Sequence, residues 1–111
     1  MDFNEYQEET KKSANYPNYG IEDKDIIPYL AIGLTGESGE IANKIKKIMR
    51  GDYNIVDARM AIANEIGDVL WYCSELAYQF GFELEEIAYL NIQKMKWREA
   101  NNSVMGEGDN R

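Results

Sequence analysis

The chain has 111 residues, of which 12 are Lys or Arg and 20 are Asp or Glu, so its formal net charge is −8. This length suits one domain, and this charge disfavours nucleic-acid polymers as partners, because binding them requires a basic surface. The absence of histidine and the single cysteine, Cys73, exclude a Ser-His-Asp triad, a zinc site built on histidines or several cysteines, and an intramolecular disulfide. Any metal site must therefore use carboxylate oxygens, the ligands of hard cations such as Mg²⁺, Mn²⁺ and Ca²⁺.

The sequence gives no indication of a membrane segment or of export. No apolar run approaches the roughly 20 residues of a membrane-spanning helix. The first five residues, Met1 to Glu5, are too polar for a signal peptide. We therefore expect a cytoplasmic protein that has no contact with a membrane.

Apolar residues recur at helical spacing nearly throughout, and alternating β-branched runs are absent. We predict an all-α fold of the four-helix type, with a loop at 15–20 and helices over about 2–15, 25 or 28 to 50, 55–80 and 83–99. Gly51 and Gly81 suit the ends of the second and third helices, and Asn54 or Asp57 can cap the third.

The connections between these helices determine the expected arrangement. Short turns make the second and third helices antiparallel neighbours, and likewise the third and fourth. Residues 1–100 are expected to form a single helical domain, followed by a polar tail over 101–111.

Two acidic motifs carry the clearest chemical signal: Glu37-Ser-Gly-Glu40 on the second helix and Glu65-Ile-Gly-Asp68 on the third. Within each motif the two carboxylates are three residues apart, which places them about 60° apart on one face of a helix. That face is the apolar one, since it also carries Leu30, Ile41 and Ile48 on the second helix and Ala61, Val69 and Leu76 on the third. Both helices therefore interrupt their core-facing stripe with a pair of acids.

The two acidic pairs also have matching register. In an antiparallel hairpin, residues at equal distance from the turn lie opposite each other. The midpoint between Glu37 and Asp68 coincides with the midpoint between Glu40 and Glu65, and it falls within the predicted turn. We therefore expect four carboxylates to converge between the two helices.

Four close negative charges require partners, because desolvation and mutual repulsion would cost several kcal/mol. One or two divalent cations would relieve the repulsion, and an oxygen-only ligand set favours Mg²⁺, with Mn²⁺ as a substitute. Gly39 and Gly67 inside the motifs each cost a helix about 1 kcal/mol relative to alanine, which suggests close packing or close approach of a ligand. The alternatives are solvated acids or a salt-bridge network with Lys44, Lys46 and Lys47.

The predicted fourth helix carries groups of the opposite character on its inward stripe. Asn91, Lys94 and Arg98 recur there at three- and four-residue spacing beside apolar side chains, and Lys44 has a similar position on the second helix. Inward cations near a metal suit a polyphosphate, whose oxygens bind metals and which Arg binds bidentately. The alternative for Lys94 and Arg98 is that they complement the negative end of the helix dipole.

The aromatic residues divide between the site and the core. Tyr72 follows Asp68 by one turn and is either a contact for a phosphate, sugar or base, or a core tyrosine with its hydroxyl at the edge. Trp71 lies off the acidic face, which favours packing against another helix or subunit. Cys73 is expected to be a small buried apolar residue. Core positions are also expected for Tyr29, Tyr89, Trp97 and the methionines.

At these motifs the sequence resembles the MazG-like nucleotide pyrophosphohydrolases of the all-α NTP pyrophosphatase superfamily. The family signature is Glu-x-x-Glu, a spacer and Glu-x-x-Asp, and here 24 residues separate Glu40 from Glu65. Further matches are Gly33 to Lys47, Glu65-Ile-Gly-Asp-Val-Leu-Trp-Tyr, Asn91-Ile-Gln-Lys94 with Arg98, Tyr6-Gln7 and the Gly108-Asp-Asn-Arg111 end. The resemblance covers nearly the whole chain.

The resemblance implies Mg²⁺-dependent hydrolysis of a nucleoside triphosphate, often a deoxynucleotide, to the monophosphate and pyrophosphate by water attack at the α-phosphate. It assigns the catalytic and metal-binding roles to Glu37, Glu40, Glu65 and Asp68, with one carboxylate or a metal activating the water. By the same resemblance Lys44, Lys94 and Arg98 would hold the phosphates, and Asn91 and Tyr72 would contact the nucleotide. Family members are dimers or tetramers with sites completed across subunit interfaces, so a homodimer or homotetramer is expected.

Two competing hypotheses remain beside this one. The first is a non-catalytic helical oligomer that binds a cation or a nucleotide as a regulatory module. The complete set of four acids favours the enzyme, because an idle relative has no reason to retain all four. The second is an enzyme that attacks the β- or γ-phosphate or prefers a diphosphate.

Overall fold

The computed structural model describes residues 1–15, 26–101 and 108–109. Over these ranges the chain forms four helices and no strand: α1 (Phe3–Ser13), α2 (Ile26–Met49), α3 (Ile55–Gln79) and α4 (Leu84–Ala100). The predicted all-α fold is confirmed, and each helix begins and ends within two residues of its predicted bounds. The predicted loop at 15–20 and most of the predicted tail at 101–111 lie outside the described residues. None of the helices in the described ranges is both long and apolar enough to cross a membrane.

The helix ends follow from local side-chain and backbone chemistry. Asn54 is the N-cap of α3, and its Oδ1 accepts a hydrogen bond of 2.8 Å from the backbone N–H of Asp57, which satisfies one of the unpaired amides of the first turn. Gly51 and Gly81 follow α2 and α3 with φ of 81° and 79°. Glycine adopts this left-handed conformation without the steric penalty of a side chain, which explains where these helices stop.

The hairpin of α2 and α3 contains most of the helix–helix packing. Close approaches of Gly33 to Tyr72 and of Lys44 to Glu65 show that the two helices are antiparallel. Gly33 and Tyr72 also share the midpoint predicted for the acidic pairs. In the described part of the chain α4 packs against α1 and α3 but does not contact α2.

A buried polar network joins α1 to the end of α3. The side-chain amide of Gln7 donates to the carbonyl oxygens of Ser74 (3.3 Å) and Phe82 (3.1 Å), and its Oε1 accepts from the backbone N–H of Leu84 (3.2 Å). Thr10 Oγ1 lies 2.8 Å from Glu75 Oε2 and 2.9 Å from Ser74 Oγ. Three helices therefore meet through hydrogen bonds where an apolar core would be usual.

The apolar core of the described residues is small. Its fully buried members are Ile26, Leu30, Ala58, Ala77 and Leu84, and Ala14, Trp71, Tyr72 and Leu76 pack against the first two. The expectation of core positions for Tyr29, Tyr89, Trp97 and the methionines is wrong for all of them that are described. Trp97 is 56% exposed, and Tyr29, Tyr89, Met1, Met49, Met60 and Met95 are exposed as well. The physical reason is that α4 covers only α1 and α3, so the outer faces of α2, α3 and α4 face solvent in the single chain.

Trp71 and Cys73 agree better with expectation. The indole N–H of Trp71 donates to Ser13 Oγ at 2.9 Å, so this side chain contacts another helix as expected. Cys73 is half-buried, and its burial raises the pKa of the thiol above the usual value, which favours the neutral form of this residue.

Candidate metal and phosphate site

Three of the four predicted acids converge between α2 and α3. Glu37, Glu65 and Asp68 each have a carboxylate oxygen within 4.8 Å of the oxygens of the other two. This convergence follows from the antiparallel register, which brings residue 37 of α2 opposite residues 65 and 68 of α3. An oxygen-only donor set at this spacing fits a hard divalent cation. We call Glu37, Glu65 and Asp68 the acidic cluster.

The electrostatics of the acidic cluster are those of carboxylates held too close together. Desolvation, a hydrogen bond with Glu65 and the charge of Asp68 raise the pKa of the Glu37 carboxyl above its ordinary value. Two carboxyl groups in hydrogen-bond contact share a proton more readily than they both ionise. A divalent cation would replace that proton, so the donor set fits the metal that the acidic motifs predict.

Glu40 lies close to the acidic cluster but is not one of its three converging members. Its side chain is exposed, and its charge contributes to the raised pKa values of Glu37 and Lys44. The structure therefore brings three predicted ligands together and leaves the fourth at the solvent edge, one helical turn from Glu37.

Among the side chains that the structure describes, Lys44 makes the one ion pair with the acidic cluster. Its Nζ lies 3.1 Å from Oε1 of Glu65, with both side chains largely covered. The hydrogen bond to Glu65 raises the pKa of the Lys44 ammonium. One pair of the alternative salt-bridge network is thus present, and it joins the predicted phosphate ligand to a predicted metal ligand.

A surface cavity of about 290 Å³ opens beside the acidic cluster. It is lined by two acids, Glu37 and Asp68, and by two aromatic residues, Trp71 and Tyr72. The two rings meet edge to face, with centroids 5.1 Å apart and an interplanar angle of 79°. Burial, together with Tyr29, Glu37 and Asp68, raises the pKa of the Tyr72 hydroxyl. Tyr72 therefore both packs against the core and lies at the predicted site. The expectation that Trp71 lies off the acidic face is wrong, because its side chain lines this cavity together with Glu37 and Asp68.

Sequence reasoning also missed two residues beside the acidic cluster and its cavity. Tyr6 on α1 is one of them. Burial, and next the negative charge of the nearby Asp68, raise the pKa of its phenol. Gly33 on α2 is covered by the ring of Tyr72, since a Cβ built on Gly33 would lie 2.2 Å from Cε1 of that ring. The shared midpoint of residues 33 and 72 was the available signal for this second contact.

The glycines inside the acidic motifs have a different environment from Gly33. A Cβ at Gly39 or Gly67 would meet no atom within 4 Å. The suggestion of close packing at these positions is therefore wrong within the described residues of the chain. The suggestion of close approach by a ligand stays a prediction.

Among the described residues, the predicted cations of α4, Lys94 and Arg98, form their ion pairs with Asp109 and not with the acidic cluster. Lys94 Nζ and Arg98 Nη2 contact the same oxygen, Oδ1 of Asp109, at 3.1 and 3.2 Å. Arg98 is only 3% exposed, and its Nη2 also approaches the carbonyl oxygens of Gly108 and Asp109. Asn91 is exposed. These two cations therefore already hold one anionic group, the carboxylate of Asp109, whose pKa they lower.

One buried nitrogen of Arg98 has no hydrogen-bond partner among the described residues. Its Nε is inaccessible to solvent and makes no hydrogen bond in the described part of the chain. A buried donor that lacks an acceptor is costly, and a guanidinium can offer two parallel donors to an oxyanion. The carboxylate of Asp109 accepts a hydrogen bond from Nη2 of Arg98 and not from Nε. The Gly108-Asp-Asn-Arg111 match pointed to this end of the chain, but helical periodicity did not predict that Asp109 contacts Lys94 and Arg98.

Comparison with known proteins gives the same family as the acidic motifs. Residues 27–102 match the family model of the MazG nucleotide pyrophosphohydrolase domain. The Gene 37 protein of Mycobacterium phage L5 is 38% identical over 109 residues, which cover 96% of each chain. No solved structure matches the chain.

Proposed function

The chain belongs to the MazG nucleotide pyrophosphohydrolase family, and we propose that it hydrolyses a nucleoside triphosphate or deoxynucleoside triphosphate to the monophosphate and pyrophosphate. The observation that carries the proposal is the convergence of Glu37, Glu65 and Asp68 inside the matched segment. Members of this family generally bind divalent metal, and an oxygen-only set favours Mg²⁺, with Mn²⁺ as a substitute.

The reaction requires little covalent chemistry from the protein. An oxygen of water forms a bond to the α-phosphorus, the bond from that phosphorus to the bridging oxygen of the β-phosphate breaks, and pyrophosphate leaves with the electron pair. The proton of the water passes to a carboxylate of the acidic cluster and then to solvent. When bound, a divalent cation would stabilise the negative charge of the phosphate oxygens and lower the pKa of the attacking water. Glu37, Glu65 and Asp68 would hold it, and Glu40 would join them from the edge.

The cavity beside the acidic cluster supports a nucleotide as the ligand. Phosphates would lie at the carboxylates of the acidic cluster, where Lys44 pairs with Glu65. The nucleoside would lie against Trp71 and Tyr72, the two aromatic residues that line the cavity. Aromatic rings beside a metal and phosphate site suit a base or a sugar.

We propose further that the working form is a homodimer or homotetramer. Twenty large apolar side chains of the described residues are exposed, while the buried apolar core has five members. Tyr89, Leu90, Ile92 and Trp97 lie on the part of α4 that faces away from the chain's own core. A helix that is apolar on more than one face is usually covered on more than one side. An exposed apolar surface of this extent is typical of subunit interfaces.

Assembly would also bring the basic residues to the site. Because α4 does not contact α2 in the described chain, Lys94 and Arg98 would reach phosphates held at the acidic cluster of a second copy. Asn91 would contact the same nucleotide from that side. Light scattering coupled to size exclusion tests the assembly, and Ile92→Asp should shift it toward the monomer while Gln93→Asp, its neighbour, should not.

The activity is tested with a panel of nucleoside and deoxynucleoside triphosphates and Mg²⁺. Pyrophosphate and monophosphate should appear together, and a chelator should abolish both. The Glu40→Gln, Asp68→Asn double variant should lose activity, whereas Glu5→Gln, Glu99→Gln removes the same charge elsewhere and should retain it. Equal rates for wild type and the first double variant would contradict the enzyme and favour a regulatory binding module. Release of inorganic phosphate with a diphosphate would overturn attack at the α-phosphate.

Sites shared between subunits are tested by mixing inactive variants. If acids and basic residues come from different chains, Asp68→Asn and Lys94→Gln subunits should regain partial activity when they are dissociated and reassembled together. Each variant reassembled with itself should stay inactive. The absence of any recovery from verified mixed assemblies would place both residues in one chain's site.

A further inference from the structure

Gly33 and Tyr72 make an unusually close contact. A Cβ added to Gly33 would lie 2.2 Å from Cε1, 2.4 Å from Cζ and 2.9 Å from Cδ1 of Tyr72. One edge of the tyrosine ring therefore rests directly on the backbone of α2, in the space that any other residue would fill. Gly36 has no atom within 4 Å of its own Cβ position, so this contact is particular to Gly33.

The contact determines where the tyrosine ring lies relative to the acidic cluster. Gly33 is one helical turn before Glu37, and Tyr72 is one turn after Asp68. The ring thus forms the next layer of the same α2–α3 interface and borders the cavity that the two acids line. The ring also packs against the buried residues Ile26 and Leu30.

Trp71, the second aromatic residue of the cavity, is fixed from the opposite direction. Its indole N–H donates to Ser13 Oγ on α1 at 2.9 Å, and its ring meets Tyr72 edge to face. Two small residues on two helices, Ser13 and Gly33, thereby hold the aromatic pair. A surface ordered before the ligand arrives loses less conformational entropy on binding.

We infer that Gly33 is a positioning residue for nucleoside recognition. By leaving space for the ring of Tyr72, it keeps Trp71 and Tyr72 as a preformed wall against which the base or sugar of the substrate packs, beside phosphates held at the acidic cluster. The identity of the ligand as a nucleotide rests on the proposed function. The geometry of the wall is observed in the structure and does not depend on that function. The inference requires that nucleosides contribute to affinity through Tyr72, and that Gly33 acts only through this ring.

Gly33→Ala is the direct test, with Gly36→Ala as its matched control on the same helix. Gly33→Ala should displace the ring and raise KM for the nucleotide about tenfold, as expected for loss of one aromatic–base contact, with a smaller change in kcat. Gly36→Ala should leave KM unchanged. Inhibition by tripolyphosphate, which has the phosphates but no nucleoside, should be the same in both variants and in wild type, as should the affinity for Mn²⁺.

A second pair of variants separates loss of the ring contact from misfolding caused by the added methyl group. Tyr72→Ala removes the ring without adding a clash, and it should raise KM at least as much as Gly33→Ala. In the Tyr72→Ala background the further change Gly33→Ala should have no effect on KM, because the new methyl group then has space. A further rise in KM in that background would overturn the inference, since Gly33 would act through the backbone.

The remaining outcomes separate this inference from the proposed activity. If Gly33→Ala weakens tripolyphosphate and nucleotide equally, the wall has no role in nucleoside recognition and the inference fails while the activity stands. If wild type hydrolyses no triphosphate, the proposed activity is wrong. The inference about Gly33 and Tyr72 is then tested by measuring ligand affinities. Wild type should then still bind Mg²⁺-nucleotide more tightly than Mg²⁺-tripolyphosphate, and equal affinities would overturn the wall.

Discussion

The ammonium of Lys44 lies 3.1 Å from Oε1 of Glu65, so one of the three converging carboxylates has a cationic partner within its own chain. Glu65 is thereby a candidate ligand for a metal and the partner of a candidate phosphate ligand. A metal that recruits Glu65 would weaken this ion pair and release the ammonium toward the phosphates that the metal binds. Because Glu65 and Lys44 share this ion pair, we expect binding of a metal at Glu65 to favour binding of a phosphate at Lys44.

Lys44→Gln tests this coupling. Without nucleotide, the affinity for Mn²⁺ should rise about two- to fivefold, the scale of a partly exposed ion pair, because Glu65 loses a competing partner. With nucleotide, KM should rise because a phosphate contact is lost. Isothermal titration with Mn²⁺ and steady-state kinetics measure the two effects.

Lys46→Gln is the matched control for this prediction, since it removes the same charge from an exposed position on the same helix. It should change neither quantity appreciably at physiological ionic strength, because exposed charges are screened beyond about 8 Å. Equal effects of the two substitutions would show that net charge, and not the contact with Glu65, controls metal affinity.

The raised pKa of Glu37 predicts a pH dependence with a definite sign. In chelator, the folded chain keeps a proton on Glu37 over a pH range in which the unfolded chain has already released it. This group's contribution to stability should therefore decline as the pH rises through that range. Mn²⁺ should reverse the trend, because a cation stabilises the ionised form.

Thermal unfolding between about pH 4 and pH 8 measures this effect as a difference between wild type and Glu37→Gln. In chelator, the thermal stability of Glu37→Gln relative to wild type should increase toward high pH, because glutamine has no charge that repels Glu65 and Asp68. With Mn²⁺, wild type should be the more stable protein at high pH. A pH-independent difference in both conditions would contradict the assignment of the shared proton to Glu37.

The register of α2 and α3 could be predicted from sequence because a helical hairpin has few free parameters. Once Gly51 and Asn54 fix the turn, residue 37 must face residue 68, and the acidic cluster follows. The exposure of Trp97 could not be predicted in the same way. A helical stripe shows which residues face a partner, but it does not show whether that partner belongs to the same chain.

The polar network around Gln7 was also beyond sequence reasoning, for a different physical reason. Gln7 satisfies backbone groups at Ser74, Phe82 and Leu84, which are distant in sequence and carry no side-chain signal of their own. Likewise, Thr10 fits an apolar stripe by spacing, yet its hydroxyl contacts Glu75. Long-range polar contacts of this kind depend on how α1 is placed, and periodicity does not determine that placement.

Gln7→Ala should destabilise the fold without touching the acidic cluster. It removes the hydrogen bonds to the buried carbonyl oxygen of Ser74, the part-buried carbonyl oxygen of Phe82 and the buried N–H of Leu84. Each group left unsatisfied costs roughly 1–3 kcal/mol. We expect the free energy of unfolding to fall by about 2–4 kcal/mol, measured by urea denaturation in chelator. Gln93→Ala, at an exposed position on α4, should change it by less than about 0.5 kcal/mol. Equal effects of both substitutions would mean that the network contributes nothing beyond helix propensity.

Asp109→Asn tests whether Lys94 and Arg98 are phosphate ligands or only the anchor of the chain's end. The carboxylate of Asp109 contacts both cations and would compete with a phosphate for them. If they bind substrate, the asparagine variant should show a lower KM for nucleotide and tighter binding of pyrophosphate. If they serve only the fold, KM should stay unchanged while thermal stability falls.

The pKa of Asp109 determines whether its carboxylate competes with phosphate under the conditions of the kinetic assay. The cations lower the pKa of Asp109 below its ordinary value, so the stability from this contact is present above the ordinary pKa and is lost as the pH falls through the lowered one. Near neutral pH the carboxylate is therefore fully charged and competes at full strength. Asp57→Asn, which alters an exposed acid in the first turn of α3, is the control for loss of one negative charge. A KM that falls equally in both variants would mean that overall charge, and not release of Arg98, attracts the nucleotide.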